Sequence, residues 1–234
     1  MRKVGFCRNK AEMVKRFRNL FSLVVISVFL MACALGTDRV KLHDPLTYKP
    51  AEGGGTKVAY ADVPGVKTIT GEKIRMIIKK VEDRRPDTSR IGAKKNTYGM
   101  KMGSIDLEEG VVFLEVFKKN LSNCFELAGY EIIPDKEKGK GFVEAEIGTF
   151  WVTFIPGFAR VDAKSLVTFS VRLFEPEANK EVWSGMFDGS GMVSSGLAVT
   201  RGMYEESINR AYAEAMRKFY TAISDEKVKN LLTK

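Results

Sequence analysis

The sequence predicts an α+β domain, a mostly antiparallel sheet with two long amphipathic helices packed on one face, preceded by a cleaved signal peptide and a flexible tether. Two observations in the folded part predict this class. In two long segments apolar residues recur every three or four positions, which is the helical period. Between those segments apolar and polar residues alternate, which is the period of a half-buried strand. A basic head followed by an apolar stretch predicts the signal peptide.

The signal peptide is expected to be residues 1–32. Residues 20–32 are apolar or small throughout, and the head before them carries seven basic residues and one acidic residue. The apolar stretch is shorter than the roughly 20 residues that a membrane span needs. The chain then reads LMAC, ending at Cys33, which resembles the bacterial lipobox, where the cysteine after the cleavage site is lipidated. We therefore predict that acylated Cys33 anchors the chain in a lipid bilayer.

Removal of the signal peptide changes the charge balance. The precursor has 38 basic and 29 acidic side chains, of which seven and one, respectively, lie in residues 1–32, so the formal charge falls from +9 to +3. A nearly neutral mature chain gives no reason to expect a nucleic-acid partner. The mature cysteines are Cys33 and Cys124, and because Cys33 would be acylated, no internal disulfide is expected.

The remaining chain is expected to contain one domain. Residues 33–56 contain two prolines and three consecutive glycines, which is typical of a tether or a loosely docked extended segment. The periplasmic domain is predicted over residues 57–225, with a C-terminal tail over residues 226–234. Its first clear strand is expected over residues 73–82 and is ended by Pro86.

Two helices are predicted from their apolar stripes. The first lies between Asp106 and Gly129, because Asp106 and Glu109 have capping-box spacing and Gly129 is typical of a helix end. The second runs from about Gly202 to Ile223. The stripes are Phe113, Phe117, Leu121, Cys124 and Ala128 in the first helix, and Tyr204, Ile208, Ala211, Tyr212, Ala215, Phe219 and Ile223 in the second.

The segment between the helices is predicted to be β-structure. Residues 142–147 alternate, residues 161–173 place their apolar side chains on one face, and residues 180–188 form the return strand after a turn. The Gly/Ser-rich segment 189–196 is expected to be a flexible connector. It lacks the Gly-Lys-Ser/Thr ending of a phosphate-binding loop.

Few residues are candidates for catalysis. The single histidine, His43, lies in the predicted tether as a solvated residue, which excludes a Ser-His-Asp triad in the domain and a His-rich metal site. Cys124 falls on a buried stripe with no histidine to activate it, so it is expected to be a core residue. Glu144 and Glu146 alternate with core residues, which is typical of the solvent side of a strand. No catalytic residue, metal or cofactor is therefore predicted.

A basic surface is the first candidate for binding. Residues 83–96 contain Arg84, Arg85 and Arg90, which would face anionic lipid head groups, lipopolysaccharide or glycan polymers. The alternative is an ordinary solvated loop.

An aromatic segment is the second candidate. Residues 150–158 lose the polar alternation that precedes them. If Trp151, Phe154 and Phe158 lie at the end of a hairpin, they form an exposed patch that contacts a partner or a lipid. The alternative is that this turn folds under the helices as part of the core.

Several short motifs resemble one known family. They are the lipobox at Cys33, VKL at 40–42 with Tyr48 and Pro50 after it, VEDRR at 81–85, LAGY at 127–130 and EVWSG at 181–185. With them the chain resembles the YajG-like lipoproteins, bacterial proteins without an assigned biochemical role. The resemblance implies an α/β periplasmic domain, similar in element order to small domains of outer-membrane assembly proteins. It implies no catalytic residues.

These observations predict an outer-membrane lipoprotein that faces the periplasm and acts as a non-catalytic binding or assembly module. Ala34 follows the lipidated cysteine, whereas an aspartate there favours retention in the inner membrane of bacteria. The expected partner is another envelope protein or a glycan. The alternatives are an accessory lipoprotein of an envelope transport or flagellar system and, less favoured, an enzyme acting on cell-wall or lipid substrates.

Overall fold

The described part of the chain comprises residues 36–50, 56–57, 73–95, 100–134, 139–156, 160–176, 178–196 and 200–233 of a computed structural model. The chain divides into two compact units, residues 1–37 and 38–234. Only Gly36 and Thr37 of the first unit are described, so the features below belong to the second. The predicted signal peptide and Cys33 lie outside the described residues.

The described elements are ten strands and three helices. The strands are β1 (Gly36–Val40), β2 (Tyr48–Lys49), β3 (Thr56–Lys57), β4 (Ile74–Asp83), β5 (Gly92–Lys95), β6 (Lys101–Leu107), β7 (Tyr130–Ile132), β8 (Gly141–Pro156), β9 (Val161–Glu175) and β10 (Lys180–Ser195). The helices are α1 (Phe113–Leu127), α2 (Arg201–Ile223) and α3 (Glu226–Leu231). The three longest strands follow one another directly in the chain.

Strand β8 is the centre of an eight-stranded sheet in the described part of the chain. On one side it pairs with β9, which pairs with β10, both antiparallel. On the other side it runs parallel first to β4 and then to β5. Strand β7 continues the sheet beyond β4, while β6 and β1 continue it beyond β5. The predicted α+β class with a mostly antiparallel sheet is confirmed, and the β4 and β5 pairings make the sheet mixed.

Both long helices lie on the same face of this sheet, as predicted. The ring of Phe169 on β9 contacts Phe117 of α1 at 5.1 Å and Phe219 of α2 at 5.9 Å between ring centroids. Phe150 on β8 likewise contacts Phe113 and Tyr212. The predicted stripes of both helices are buried in this core, because alternate side chains of β8 and β9 point into it.

The start of α1 differs from the prediction. The helix begins after Val112, and Asp106 lies in β6. The backbone of β6 pairs with β5 up to Ile105, so Asp106 continues a strand, and Glu109 lies in the turn that follows. The predicted end is correct, because Gly129 follows α1 with a φ of 91°, where a side chain would be strained.

Strand β10 continues through the segment that was predicted to be a flexible connector. The reason is close packing by α2. A Cβ atom on Gly189 would lie 2.0 Å from the carbonyl oxygen of Ala211, and one on Gly191 would lie 2.0 Å from that of Ser207. These glycines therefore allow a helix to approach a strand, and they do not form a loop.

The predicted tether is docked on the domain where it is described. Val40, Leu46 and Tyr48 are buried. The His43 backbone N–H donates to the side-chain carbonyl of Asn209 on α2 at 2.7 Å. The His43 ring stacks on Tyr48 and is largely buried, so the expectation of a solvated linker residue is wrong. This segment binds α2 through backbone groups that leave no sequence pattern.

The predicted tail contains helix α3. The Asp225 carboxylate accepts a hydrogen bond from the backbone N–H of Lys227, which caps the helix. Val228 and Leu232 are buried against the main core. Two apolar side chains in a polar segment are enough to dock one short helix, but they are too few to show a period.

Candidate functional site

A gap in the sheet creates the main candidate site. The backbone N–H of Arg84, just after β4, still bonds the Ile147 carbonyl of β8 at 2.9 Å, and the N–H of Val152 bonds the Ile91 carbonyl just before β5 at 2.7 Å. Between these two points the β4–β5 loop leaves the sheet. Strand β8 also has a bulge there, since its register with β9 shifts between Ile147 and Thr149.

A cleft of about 360 Å³ opens at this gap, within the size range of ligand pockets. The loop forms one wall, and the solvent face of β8 and β9 forms the other. We call it the Trp151 cleft. Its lining residues are Arg85, Pro86, Asp87, Thr149, Phe150, Trp151 and Leu166.

Trp151 and Leu166 form the apolar side of the Trp151 cleft. They are directly opposite each other in the β8–β9 register. The indole is partly exposed, and 45% of Leu166 is exposed. The exposed leucine and the partly exposed tryptophan together present adjoining apolar surface to solvent, and partner contacts commonly use such groups.

The predicted aromatic patch does not form as a unit. Trp151 faces solvent, whereas Phe154 is opposite the buried Ala163 and packs against the core. Residues three apart on a strand point to opposite faces, so these two rings diverge. Phe158 lies outside the described residues. Only the Trp151 part of the prediction therefore belongs to the cleft.

Arg85 closes one end of the Trp151 cleft and is buried, so its predicted place on an exposed basic surface is wrong. Its guanidinium donates to the Asp83 carboxylate at 2.7 and 2.8 Å and lies 4.6 Å from the Phe113 ring centroid. It also donates to the Thr88 and Arg90 carbonyls. The charge of Arg85 is thus used to hold the loop in place, and the cleft presents mainly apolar surface.

The other predicted basic residues are also paired with acids. Arg84 is exposed and bonds Glu82 at 2.8 Å and Glu146 at 3.1 Å, and Arg90 pairs with Asp87. Hydrogen bonds from Lys80 and Arg84 hold the pKa of the Glu82 carboxyl below its usual range. Acidic residues therefore offset the charges of Arg84, Arg85 and Arg90. That Arg84 contacts an anionic partner stays a prediction.

The paired carboxylates Glu144 and Glu146 lie on the solvent face of β8. Both accept from Arg172 of β9, at 2.9 and 3.2 Å. Each carboxylate is thus part of a cross-strand ion pair, which is an ordinary structural arrangement. Neither residue lines the Trp151 cleft.

Cys124 lies in the core, as predicted. It is fully buried, and burial raises the pKa of its thiol well above the usual value. A thiol of this kind is a poor nucleophile, because the thiolate is the reactive form. In the described part of the chain no cluster of three or more His, Cys, Asp or Glu side chains has the geometry to hold a metal ion.

Five cleft residues are not among the site residues that the sequence predicts: Pro86, Asp87, Thr149, Phe150 and Leu166. Leu166 is apolar at a position where β9 should be polar, and this break in alternation was a usable signal. Pro86 was interpreted only as a strand terminator. Its position against Trp151 depends on the path of the β4–β5 loop, which the sequence does not reveal.

The described helices include none that is long and apolar enough to cross a membrane. No curated protein matches the chain.

Among solved structures, the chain is similar to a Xanthomonas campestris protein at 10% identity. The similarity covers 71% of this chain and 88% of that chain, with a TM-score of 0.44. It is also similar to a neuraminyllactose-binding hemagglutinin homologue from Helicobacter pylori, at 14% identity over 83% and 97% with a TM-score of 0.42.

A lipoprotein from Caulobacter crescentus is similar at 17% identity, over 52% of this chain and 84% of that chain, with a TM-score of 0.35. Similarities this distant carry no argument about function. The family comparison is more direct, because the model of a family described as uncharacterised lipoproteins matches residues 66–233. The resemblance to YajG-like lipoproteins is thereby confirmed, and the chain belongs to this family of lipoproteins.

Proposed function

We propose that the chain is an outer-membrane lipoprotein, anchored through acylated Cys33 and facing the periplasm, that acts as a non-catalytic binding or assembly module. Membership in a lipoprotein family and the lipobox at Cys33 support the anchor. Three acyl chains on one cysteine would make attachment stable, since a single chain gives only marginal binding. The domain then works at the membrane surface.

The Trp151 cleft is the contact site in this proposal. The observation that carries it is the pair formed by the partly exposed Trp151 and the exposed Leu166 beside a preformed cleft. The flanking pairs on the same sheet face, Thr149–Thr168 and Thr153–Lys164, are polar. An apolar side chain of an envelope protein would fill the cleft and displace water from the indole. Tryptophan is among the residues that contribute most to protein interfaces.

Crosslinking in cells tests the contact site. A photoreactive amino acid placed at Leu166 should capture a defined envelope protein. The same probe at Met186, which is 81% exposed on the same sheet face but is absent from the cleft lining, should not. Trp151→Ala should then weaken binding of the captured protein by roughly 30-fold or more, the effect of losing one hot-spot side chain. Identical captured proteins at both positions would contradict the proposal.

The anchor has a separate test. Labelling with a palmitate analogue should mark the chain, and Cys33→Ala should remove the label and release the protein from outer-membrane fractions. Label that persists in Cys33→Ala, or a labelled protein that fractionates with the inner membrane, would contradict the anchoring part. Neither result depends on the Trp151 cleft.

A further inference from the structure

A second pocket lies on the helical layer, away from the Trp151 cleft. It has a volume of about 560 Å³ and opens between one side of α2 and the docked segment around Tyr48 and Pro50. Three cations line it, Arg210, Arg217 and Lys218, against one acidic residue, Glu214. We call it the Arg217 pocket.

Two of the three cations have carboxylate partners of their own. Arg210 pairs with Glu206 one helical turn away. Lys218 lies 2.9 Å from the Glu214 carboxylate and 3.3 Å from that of Asp188. Among the described residues, the acidic side chains next to the pocket are thus already paired with Arg210 and Lys218.

Arg217 lacks a carboxylate partner among the described residues. Its Nη2 donates to the backbone carbonyl of Tyr48, and its Nε is buried without an acceptor. Burial lowers the pKa of the Arg217 guanidinium, but an arginine stays charged at neutral pH. A half-buried cation without a carboxylate partner is costly, and an anion in the pocket that pairs with the guanidinium reduces that cost.

We propose that the Arg217 pocket binds an oxyanion, a phosphate group carried by a soluble molecule or by a lipid head group, with Arg217 as the main ligand and Lys218 and Arg210 as supporting charges. The guanidinium presents several donors in a planar fork, which suits phosphate oxygens. The pocket is large enough for a phosphate with part of the group that carries it. This site is separate from the Trp151 cleft and does not depend on the function proposed for it.

A purely structural role for Arg217 is the competing explanation, because its bond to Tyr48 helps to dock the segment after β1. A loss of stability on substitution is therefore not informative. The informative quantity is the response of each variant to phosphate, measured against the same variant in chloride at equal ionic strength.

The test uses thermal unfolding of the full chain in a non-ionic detergent. Phosphate at ten times its dissociation constant should raise Tm by roughly 2–5 °C relative to chloride. Arg217→Gln should abolish this shift. Arg160→Gln should keep it, because Arg160 is an exposed arginine that does not line the pocket. A shift of equal size in Arg217→Gln, or no shift in the parent chain, would overturn the proposal.

A second variant covers the case in which Arg217→Gln does not fold. Lys218→Gln removes an exposed side chain and should raise the phosphate concentration for a half-maximal shift at least threefold; an unchanged concentration would overturn the proposal. Short-chain phosphatidylglycerol added in place of phosphate distinguishes the sources. If the Tm shift saturates at a lower concentration of phosphatidylglycerol than of inorganic phosphate, the ligand is a lipid head group. If phosphatidylglycerol binds equally or more weakly, the ligand is a soluble phosphate.

Discussion

Replacement of Gly189 by alanine should push helix α2 away from strand β10 and destabilise the domain. A methyl group there would meet the carbonyl oxygen of Ala211 at 2.0 Å and the backbone nitrogen of Ala215 at 2.7 Å. Both neighbours are helix backbone, so no side-chain rotation relieves the clash. The helix would have to move away from β10 by roughly 1 Å or more, since interiors are close-packed.

The expected cost follows from what α2 buries. Its core-facing side includes Phe219 and Tyr212, both fully buried. A gap of 0.5–1 Å forfeits about a quarter to a half of each dispersion contact across the interface. Overpacking commonly costs about 1–3 kcal/mol, and a rigid backbone clash belongs at the upper end, about 3 kcal/mol. For a domain of this size that corresponds to a Tm lower by roughly 6–12 °C.

Thermal and denaturant unfolding followed by far-UV circular dichroism measure this change. Gly196→Ala is the matched control, because a Cβ atom there meets nothing within 4 Å and the backbone does not require glycine. It should change the free energy of unfolding by less than about 0.5 kcal/mol. A Tm of Gly189→Ala within 2 °C of that of the parent chain would refute the argument that α2 packs closely on β10.

Three further predictions concern single side chains. Arg85→Met should destabilise the domain by about 3–5 kcal/mol in urea unfolding, because it leaves the largely buried Asp83 carboxylate unpaired. Arg84→Met, at an exposed position, should cost less than about 1 kcal/mol. Similar losses of stability in the two variants would contradict this prediction. Tyr212→Phe should cost about 1–3 kcal/mol, since the buried Asn120 amide loses its acceptor at 3.0 Å; an unchanged midpoint would count against it. Cys124 should react with a thiol reagent at pH 8 only after unfolding, as judged against Cys124→Ser, because burial raises the pKa of its thiol; rapid native labelling would contradict it.

Local periodicity was sufficient to predict helix α2 and its buried face. Every third or fourth residue from Tyr204 to Ile223 is apolar, and all of the predicted stripe is buried. The pattern is reliable because a helix of this length must bury one face wherever it packs. The alternation that predicted β9 was reliable for the same reason.

Local patterns misled where a distant element decides the conformation. Gly189 and Gly191 have the composition of a loop, but α2 passes so close to them that glycine is needed within a strand. Asp106 and Glu109 have the spacing of a helix cap, but Asp106 lies in β6, a strand that pairs with β5 through its preceding residues. In both cases tertiary contacts outweigh a local preference.

The candidate sites depended on tertiary structure even more strongly. Trp151 stood out in the sequence, but its partner Leu166 is fixed by the β8–β9 register, and the cleft is fixed by where the β4–β5 loop leaves the sheet. Arg217 and Tyr48 are 169 positions apart and meet only because the segment after β1 docks on α2.

The sequence by itself determined the α+β class and the helical stripes, and it predicts the route to a membrane. Each of these depends on residue composition or on a period within one element. Tertiary structure alone decided which face Trp151 occupies, that Arg85 is buried, and that Arg217 has no carboxylate partner in the described part of the chain. Those properties depend on the register and packing of segments far apart in the chain. The burial of a side chain and the pairing of its charge are set by its spatial neighbours, and most of these come from other elements.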